Sequence, residues 1–220
     1  MGKILLLEFC LIVILLSNSG CAGLNDFYIS KASNLGPNCK DWANGDVIVE
    51  LSNLRLALRL GNHFLHQGGG VLLVPIREER IEINEKYRNE GSFEIQLMMK
   101  AYNNDFEFNP KEVYLKLEEG EYRQATLYYK PDYELAAPNP NFGPSYPWVV
   151  SKPESLTDFS RYFELPKHQW AGFRIHFDAP IPNPGTQFTI VIRGLKNAGR
   201  TLEPEEVVFK DKKLFTEVIN

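Results

Sequence analysis

The feature that most limits how this chain can fold is a regular alternation of apolar and polar residues. Val47, Val49 and Leu51 share one phase of this alternation. The same pattern recurs in the segments 54–60, 93–99, 106–108, 113–117, 125–129, 173–177, 188–192 and 207–209, and short apolar pieces lie at 71–76 and 81–83. Successive side chains of a strand point to opposite faces, so the pattern predicts strands with one apolar face.

Strands of this kind belong to antiparallel sheets that pack through their apolar faces. Glycine, proline and asparagine separate the segments, and no stretch keeps a helical period. The sequence therefore predicts an all-β fold, an antiparallel β-sandwich. Segment 153–163 is the one candidate helical turn, although 162–165 fits a strand equally well. Similar proline-led segments at 109–113 and 203–207 have three explanations: two related sandwich halves, a shared way of entering a strand, or chance.

The N-terminus has the layout of a secretory signal peptide, which we assign to residues 1–20. Lys3 precedes an apolar stretch at 4–16, and a polar step at 17–20 follows. As a helix the apolar stretch would reach only about 20 Å, whereas the hydrocarbon core of a bilayer is about 30 Å thick. Glu8 further disfavours a permanent span. We expect export.

Ser19, Gly20 and Cys21 resemble the lipobox of bacterial lipoproteins, although Asn18 departs from its usual aliphatic residue. The resemblance implies a diacylated Cys21 at the new N-terminus, and sorting to the outer membrane where the organism has one. In this respect the chain looks like bacterial lipoproteins of unassigned function that carry an immunoglobulin-like β-sandwich. Two alternatives stay open: an ordinary signal peptidase removes Cys21, or Cys21 forms a disulfide with Cys39.

Residues 21–44 show no periodicity, and we interpret them as a lipid-anchored tether and lead-in loop before a sandwich domain at 45–220. The chain is 44% hydrophobic and 24% charged, as in an ordinary globular protein. Its net charge is −4 without a basic block, which argues against nucleic acid as a partner. After processing, Cys39 is either buried and inert or pairs between molecules.

A proline-rich segment at 130–156 interrupts the strand pattern and carries several aromatic rings. Long loops in compact domains are often functional, and these rings could stack on a glycan or grip an envelope protein. The alternative is that they fold down and cap an open end of the sandwich. The candidate ligand-binding residues are Tyr133, Phe142, Tyr146, Trp148 and Trp170.

Residues able to support catalysis or metal binding are few and poorly spaced. His63 and His66 would point to opposite faces of a strand, which disfavours a zinc site. His176 lies near Asp178 on a polar face, where a solvated pair is the simpler interpretation, and His168 stands in a turn. We expect no catalytic residue, no metal and no cofactor.

The sequence thus favours a non-catalytic exported lipoprotein of the cell envelope, anchored to a membrane and facing away from the cytoplasm. It would act as a binding or scaffolding module for an envelope protein or a glycan. The alternatives are a carbohydrate-binding module that uses the 130–156 loop, and an envelope hydrolase.

Overall fold

The structure is a computed structural model, and it describes most of the chain that follows residue 22. The described residues are 23–33, 38–42, 44–62, 64–66, 70–71, 74–75, 93–118, 120–129, 131–133, 137–141, 148 and 161–219. They form strands with the bounds β1 Gly23–Ala32, β2 Cys39–Asp41, β3 Val47–Leu51, β4 Leu54–Leu60, β5 Phe64–His66, β6 Gly70–Val71, β7 Val74–Pro75, β8 Phe93–Ala101, β9 Phe106–Phe108, β10 Val113–Leu117, β11 Tyr122–Tyr128, β12 Phe163–Glu164, β13 Trp170–Phe177, β14 Phe188–Ile192, β15 Leu195–Asn197, β16 Arg200–Thr201 and β17 Glu205–Ile219. One 3₁₀ turn at Pro110–Glu112 is the helical element of these residues.

The strands pair antiparallel in three sheets. The largest has eleven strands in the order β2-β3-β4-β8-β13-β11-β10-β14-β17-β1-β5. A second sheet has the order β12-β9-β15-β16, and β6 pairs with β7. The predicted all-β antiparallel architecture is confirmed.

The large sheet folds over on itself at β11. The first part of β11 pairs with β10 and its second part pairs with β13, with a bulge between Ala125 and Leu127. Phe93 in β8 and Phe188 in β14 stand four places apart in the strand order, which would be about 19 Å in a flat sheet. Their ring centroids nevertheless lie 5.9 Å apart. The two halves therefore face each other as a sandwich, with β2-β3-β4-β8-β13 as layer 1 and β10-β14-β17-β1-β5 as layer 2.

The alternating residues fill the space between the two layers. Leu54, Leu56 and Leu58 of β4 are buried on the inner face. In layer 2, the ring of Phe188 stacks on that of Phe209 with centroids 5.0 Å apart. Burying one such side chain contributes about 1.5–3 kcal/mol, so this interior is the main stabilising feature of the fold.

The four-stranded sheet, which we call the small sheet, closes one end of this interior. The ring of Phe108 in β9 meets that of Phe173 in β13 edge to face, with centroids 4.9 Å apart. Phe163 of β12 also packs against Phe173, at 6.0 Å. The chain connections at this end of the sandwich therefore lie next to tightly packed aromatic side chains.

Two expectations about the ends of the chain are wrong. Segment 21–44, interpreted as tether and lead-in loop, contains β1 and β2. The last strand, expected at 207–209, extends from Glu205 to Ile219. The physical reason is the same in both cases, because β1 and the second half of β17 pair with each other from Gly23–Ile219 to Ala32–Phe209. Main-chain hydrogen bonds hold this ladder, and they leave no mark in side-chain periodicity.

The remaining expectations concern short segments of the chain. Segment 71–76 contributes only the two-residue strands β6 and β7 at its described positions. Phe163–Glu164 forms a strand, which agrees with the strand interpretation of 162–165. Segments 81–83 and 153–160 lie outside the described residues. The two proline-led segments precede β10 and β17, which flank β14 within one layer.

Candidate functional site

A cleft of about 940 Å³ opens beside the small sheet. Three connections meet there: the residues that precede β9, the chain that follows β12, and the turn between β15 and β16. Two backbone hydrogen bonds join these connections. The Leu165 N–H donates to the Phe106 carbonyl and the Ala198 N–H donates to the Asp105 carbonyl, each over 2.9 Å. The walls of the cleft are thus attached directly to strand ends.

Left-handed backbone conformations concentrate around this cleft. Among the described residues, the non-glycine positions with positive φ are Asp105 at 70°, His168 at 64° and Ala198 at 49°. Asp105 and Ala198 line the cleft, and His168 follows Lys167, which also lines it. Such conformations cost about 1–3 kcal/mol each and cluster at functional sites. This clustering supports a functional role for the cleft.

Two carboxylates stand side by side in the wall of the cleft. Glu107 of β9 lies directly opposite Glu164 of β12, and side chains in that relation have Cβ atoms about 4.5–5.5 Å apart. On its other side, Glu107 lies opposite Lys196 of β15. Like charges directly opposite each other destabilise a strand pair. A donor group placed between the two carboxylates would relieve this repulsion.

Tyr133 is one of the predicted ligand-binding residues, and it lines the cleft. Its hydroxyl donates to the carbonyl oxygen of Glu164 over 3.3 Å, which fixes the ring at the cleft wall. Burial raises the pKa of Tyr133 above its ordinary value of 10.0; Glu164 adds to this rise and Arg161 opposes it. The phenol therefore stays neutral at physiological pH.

Trp148 and Trp170 lie elsewhere, on the outer face of layer 1. Both are only 8% exposed, and together with Ile48, Ala57 and Met98 they form an apolar cluster against which Trp42 packs. We call these six residues the tryptophan cluster. The outer face of these strands was expected to be polar, and that expectation is wrong here. Trp148 of the 130–156 segment thus lies on the outer face of layer 1 and not over an open end of the sandwich, and Trp170 belongs to β13.

Trp148 is held over layer 1 by both its backbone and its ring. Its backbone N–H donates to Oε1 of Gln96 over 2.7 Å. Its ring contacts the Arg59 guanidinium, 4.5 Å from the ring centroid, and meets Trp42 edge to face at 6.3 Å. Phe142 and Tyr146, the other predicted residues of this loop, lie outside the described residues, and ligand binding by the group stays a prediction.

Under the Trp148 ring lies a buried ion pair. Arg59 donates from Nε to Oδ1 of Asp46 over 2.8 Å, and both side chains are 3% exposed. Asn44 donates from Nδ2 to Oδ2 of Asp46 over 2.7 Å. Burial nevertheless raises the pKa of Asp46, because desolvation outweighs the bonds from Arg59 and Asn44. We call Asp46 and Arg59 the sealed pair.

A second charged group lies farther along the same face and is more open to water. Arg174 donates to both carboxylate oxygens of Glu94, over 3.1 and 2.7 Å. His176 Nε2 lies 3.1 Å from Oε2 of Glu94. Desolvation acts to raise the pKa of Glu94, but the bonds from His176 and Arg174 prevail and lower it. We call Glu94, Arg174 and His176 the open cluster.

His176 was expected to form a solvated pair near Asp178. It instead contacts Glu94, and its ring meets that of Tyr129 edge to face at 5.0 Å. His168 is exposed in a turn, with its ring 6.3 Å from that of Tyr102. His63 lies outside the described residues. Within the described ranges, no group of three or more histidine, cysteine or acidic residues is placed to hold a metal ion.

The cysteines bear on attachment rather than on the cleft. Cys21, the predicted lipidation site, lies outside the described residues. Cys39 lies half-buried on β2, at the edge of the large sheet. The part of the chain that the structure describes contains no helix long and apolar enough to cross a membrane.

Sequence reasoning did not find most of the residues that line the cleft. Glu107 and Glu164 are far apart along the chain, and no spacing rule connects them. The tryptophan cluster did leave a signal, because Ile48, Ala57 and Met98 are apolar residues in the phase assigned to the polar face. Comparisons with protein families, with curated proteins and with solved structures found no match to this chain.

Proposed function

We propose that this protein is an exported, non-catalytic binding module of the cell envelope, anchored by lipid at Cys21, whose ligand occupies the cleft beside the small sheet. The observation that supports it best is the cleft itself. It measures about 940 Å³ and is lined by charged groups on strand ends. This size lies near the upper limit for small-ligand sites, which is about 1,000 Å³.

The course of β17 supports this arrangement of anchor and site. β17 begins at Glu205, soon after the β15–β16 turn that lines the cleft, and ends at Ile219 opposite Gly23. A strand of this length extends roughly 46 Å. Gly23 follows Cys21 by two positions. A lipid on Cys21 would therefore lie at the end of the molecule away from the cleft, which would face outward from the membrane.

The resemblance to lipoproteins with immunoglobulin-like sandwiches is part of this proposal, as is placement in an outer membrane where one exists. The ligand of this module is an envelope protein or a glycan, and a carbohydrate-binding module that uses the 130–156 loop is the first alternative. An envelope hydrolase is the remaining one, and the neighbouring carboxylates of Glu107 and Glu164 favour it most. Glycosidases place two carboxyl groups about 5–10 Å apart.

Fractionation of cells tests the anchor. Cys21→Ser is expected to move the protein from the membrane fraction to the soluble fraction, because one thioether-linked group and its fatty chains are lost. Cys39→Ser is the matched control and should stay with the membrane. A Cys21→Ser protein that remains in the membrane fraction would show that the anchor is elsewhere.

Crosslinking tests the cleft. A photoreactive residue at Gln169, in the cleft wall, is expected to capture an envelope component in intact cells. The same residue at Leu214, which is 48% exposed on β17, serves as the control. Equal capture at the two positions, or none at Gln169, would contradict the cleft as the binding site.

A further inference from the structure

The charge and the ring that line the cleft narrow its ligand. We propose that the cleft binds a short neutral or amine-bearing sugar chain and rejects acidic sugars. This inference rests on the proposed function, because it specifies the ligand of the same site.

The charges of the lining supply the first step. Asp105, Glu107 and Glu164 line the cleft together with a single basic residue, Lys167. An anionic ligand would bring its own charge against Asp105, Glu107 and Glu164, although Lys196 of β15 also lies opposite Glu107. A sugar hydroxyl or ammonium group instead donates hydrogen bonds to carboxylates.

The mixture of donors and acceptors supplies the second step. A sugar hydroxyl both donates and accepts, so a site for sugars needs groups of both kinds close together. The cleft offers carboxylate acceptors at Glu107 and Glu164, and donors at Lys167 and at the Gln169 amide. An apolar ligand would cover these polar groups without giving them hydrogen-bond partners, which is energetically unfavourable.

The Tyr133 ring supplies the third step. The ring is half-buried against the hydrophobic core, and its hydroxyl donates to the Glu164 carbonyl over 3.3 Å, so the ring forms part of the cleft wall. An aromatic face beside polar groups suits a sugar ring, which has an apolar face and polar edges. The same face attracts an ammonium group by a cation–π interaction.

Titration of the full-length chain in detergent tests the inference. Tetramers of glucosamine, N-acetylglucosamine and galacturonate are titrated into the protein one at a time. Calorimetry measures the affinity of each. We expect the first two to bind and the third to bind at least about tenfold more weakly. Galacturonate that binds as tightly as the other two would overturn the inference.

Variants connect this binding to the cleft. Tyr133→Ala should weaken binding about tenfold through the loss of the aromatic face, whereas Tyr133→Phe should retain most of it. Tyr122→Ala is the matched control, because Tyr122 is 45% exposed on β11 and does not line the cleft. Glu107→Gln should weaken glucosamine more than N-acetylglucosamine. Equal affinities for Tyr133→Ala and Tyr122→Ala would overturn the inference.

The outcomes separate this inference from the proposed function. Crosslinking at Gln169 without binding of any tetramer would overturn the sugar ligand and leave the binding module intact. Cleavage of a bound tetramer, detected by chromatography, would support the sugar ligand and overturn the non-catalytic role. Loss of membrane attachment bears on Cys21 alone.

Discussion

Two charged groups on the outer face of layer 1 differ in how deeply the same sheet face buries an ion pair. The sealed pair, Asp46 and Arg59, lies beneath the Trp148 ring, and each side chain is 3% exposed. The Glu94 carboxylate of the open cluster is 20% exposed. In both places an arginine binds a carboxylate through two of its N–H groups.

The pKa shifts of the two carboxylates have opposite directions. Desolvation dominates at Asp46 and raises its pKa, whereas hydrogen bonds dominate at Glu94 and lower its pKa. Two differences separate the carboxylates: Asp46 is more deeply buried, and Glu94 receives a bond from His176 in addition to its arginine. Trp148 of the 130–156 segment contributes to the burial of the sealed pair through its contact with the Arg59 guanidinium.

The largest expected effect comes from removing one partner of the sealed pair. Arg59→Met should reduce the free energy of unfolding by about 3–5 kcal/mol, because it leaves the Asp46 carboxylate buried without its partner. Denaturation in urea at pH 7 measures this change. Arg55→Met is the matched control on the same strand, where the pair with Glu50 is 41% and 28% exposed and should cost at most about 1 kcal/mol.

The pH dependence of the Arg59→Met variant sharpens this prediction. A carboxyl whose folded-state pKa is raised disfavours folding when it is ionised, and this cost disappears as pH falls through that pKa. The destabilisation should therefore shrink as the pH is lowered toward 4. A cost that is unchanged by pH would contradict the assignment of the effect to Asp46.

The next effect comes from opening the cover. Trp148→Ala should cost about 3 kcal/mol, because it removes a ring packed on Trp42 and Arg59. In the Trp148→Ala background, water reaches the sealed pair, so Arg59→Met should then cost less than it does alone. A double-mutant cycle by urea denaturation measures this coupling. Strictly additive effects would contradict a sealing role for Trp148.

The smallest effect belongs to the open cluster. Glu94→Gln should cost about 1 kcal/mol at pH 7, since the group is partly solvated. A lowered folded-state pKa gives stability that is present above the unfolded pKa near 4.5 and is lost as pH falls through the folded-state value. Glu94→Gln should therefore flatten the acid limb of the stability curve. An unchanged acid limb would assign that limb to other carboxylates.

Much of the sandwich could be predicted because its inner face follows a period of two. Leu54 to Leu60 alternate except at Ala57, Phe173 to Phe177 alternate throughout, and both segments are strands of layer 1. β1 could not be predicted in this way, since Asn25 and Asp26 are unfavourable for a strand and its pairing with β17 depends on the backbone. The period of apolar side chains indicates which face of a strand is buried. It does not indicate which strands pair through backbone hydrogen bonds.

The candidate site was less accessible to prediction than the fold. Tyr133 was identified among five candidate residues because it belongs to an aromatic, proline-rich segment. Its neighbours Glu107 and Glu164 meet through the register of β9 and β12, which the sequence of either strand does not reveal. Trp148 was found as an aromatic residue, but its burial depends on Gln96 and Arg59 of other strands.

The ladder between β1 and β17 also determines how the molecule would bear a mechanical load. In an antiparallel pair the hydrogen bonds run perpendicular to the strands. A force applied at Gly23 and directed along β1 would therefore strain the bonds from Gly23 to Ala32 together, rather than one after another. Tension from the N-terminus would therefore load all the hydrogen bonds of this ladder in shear.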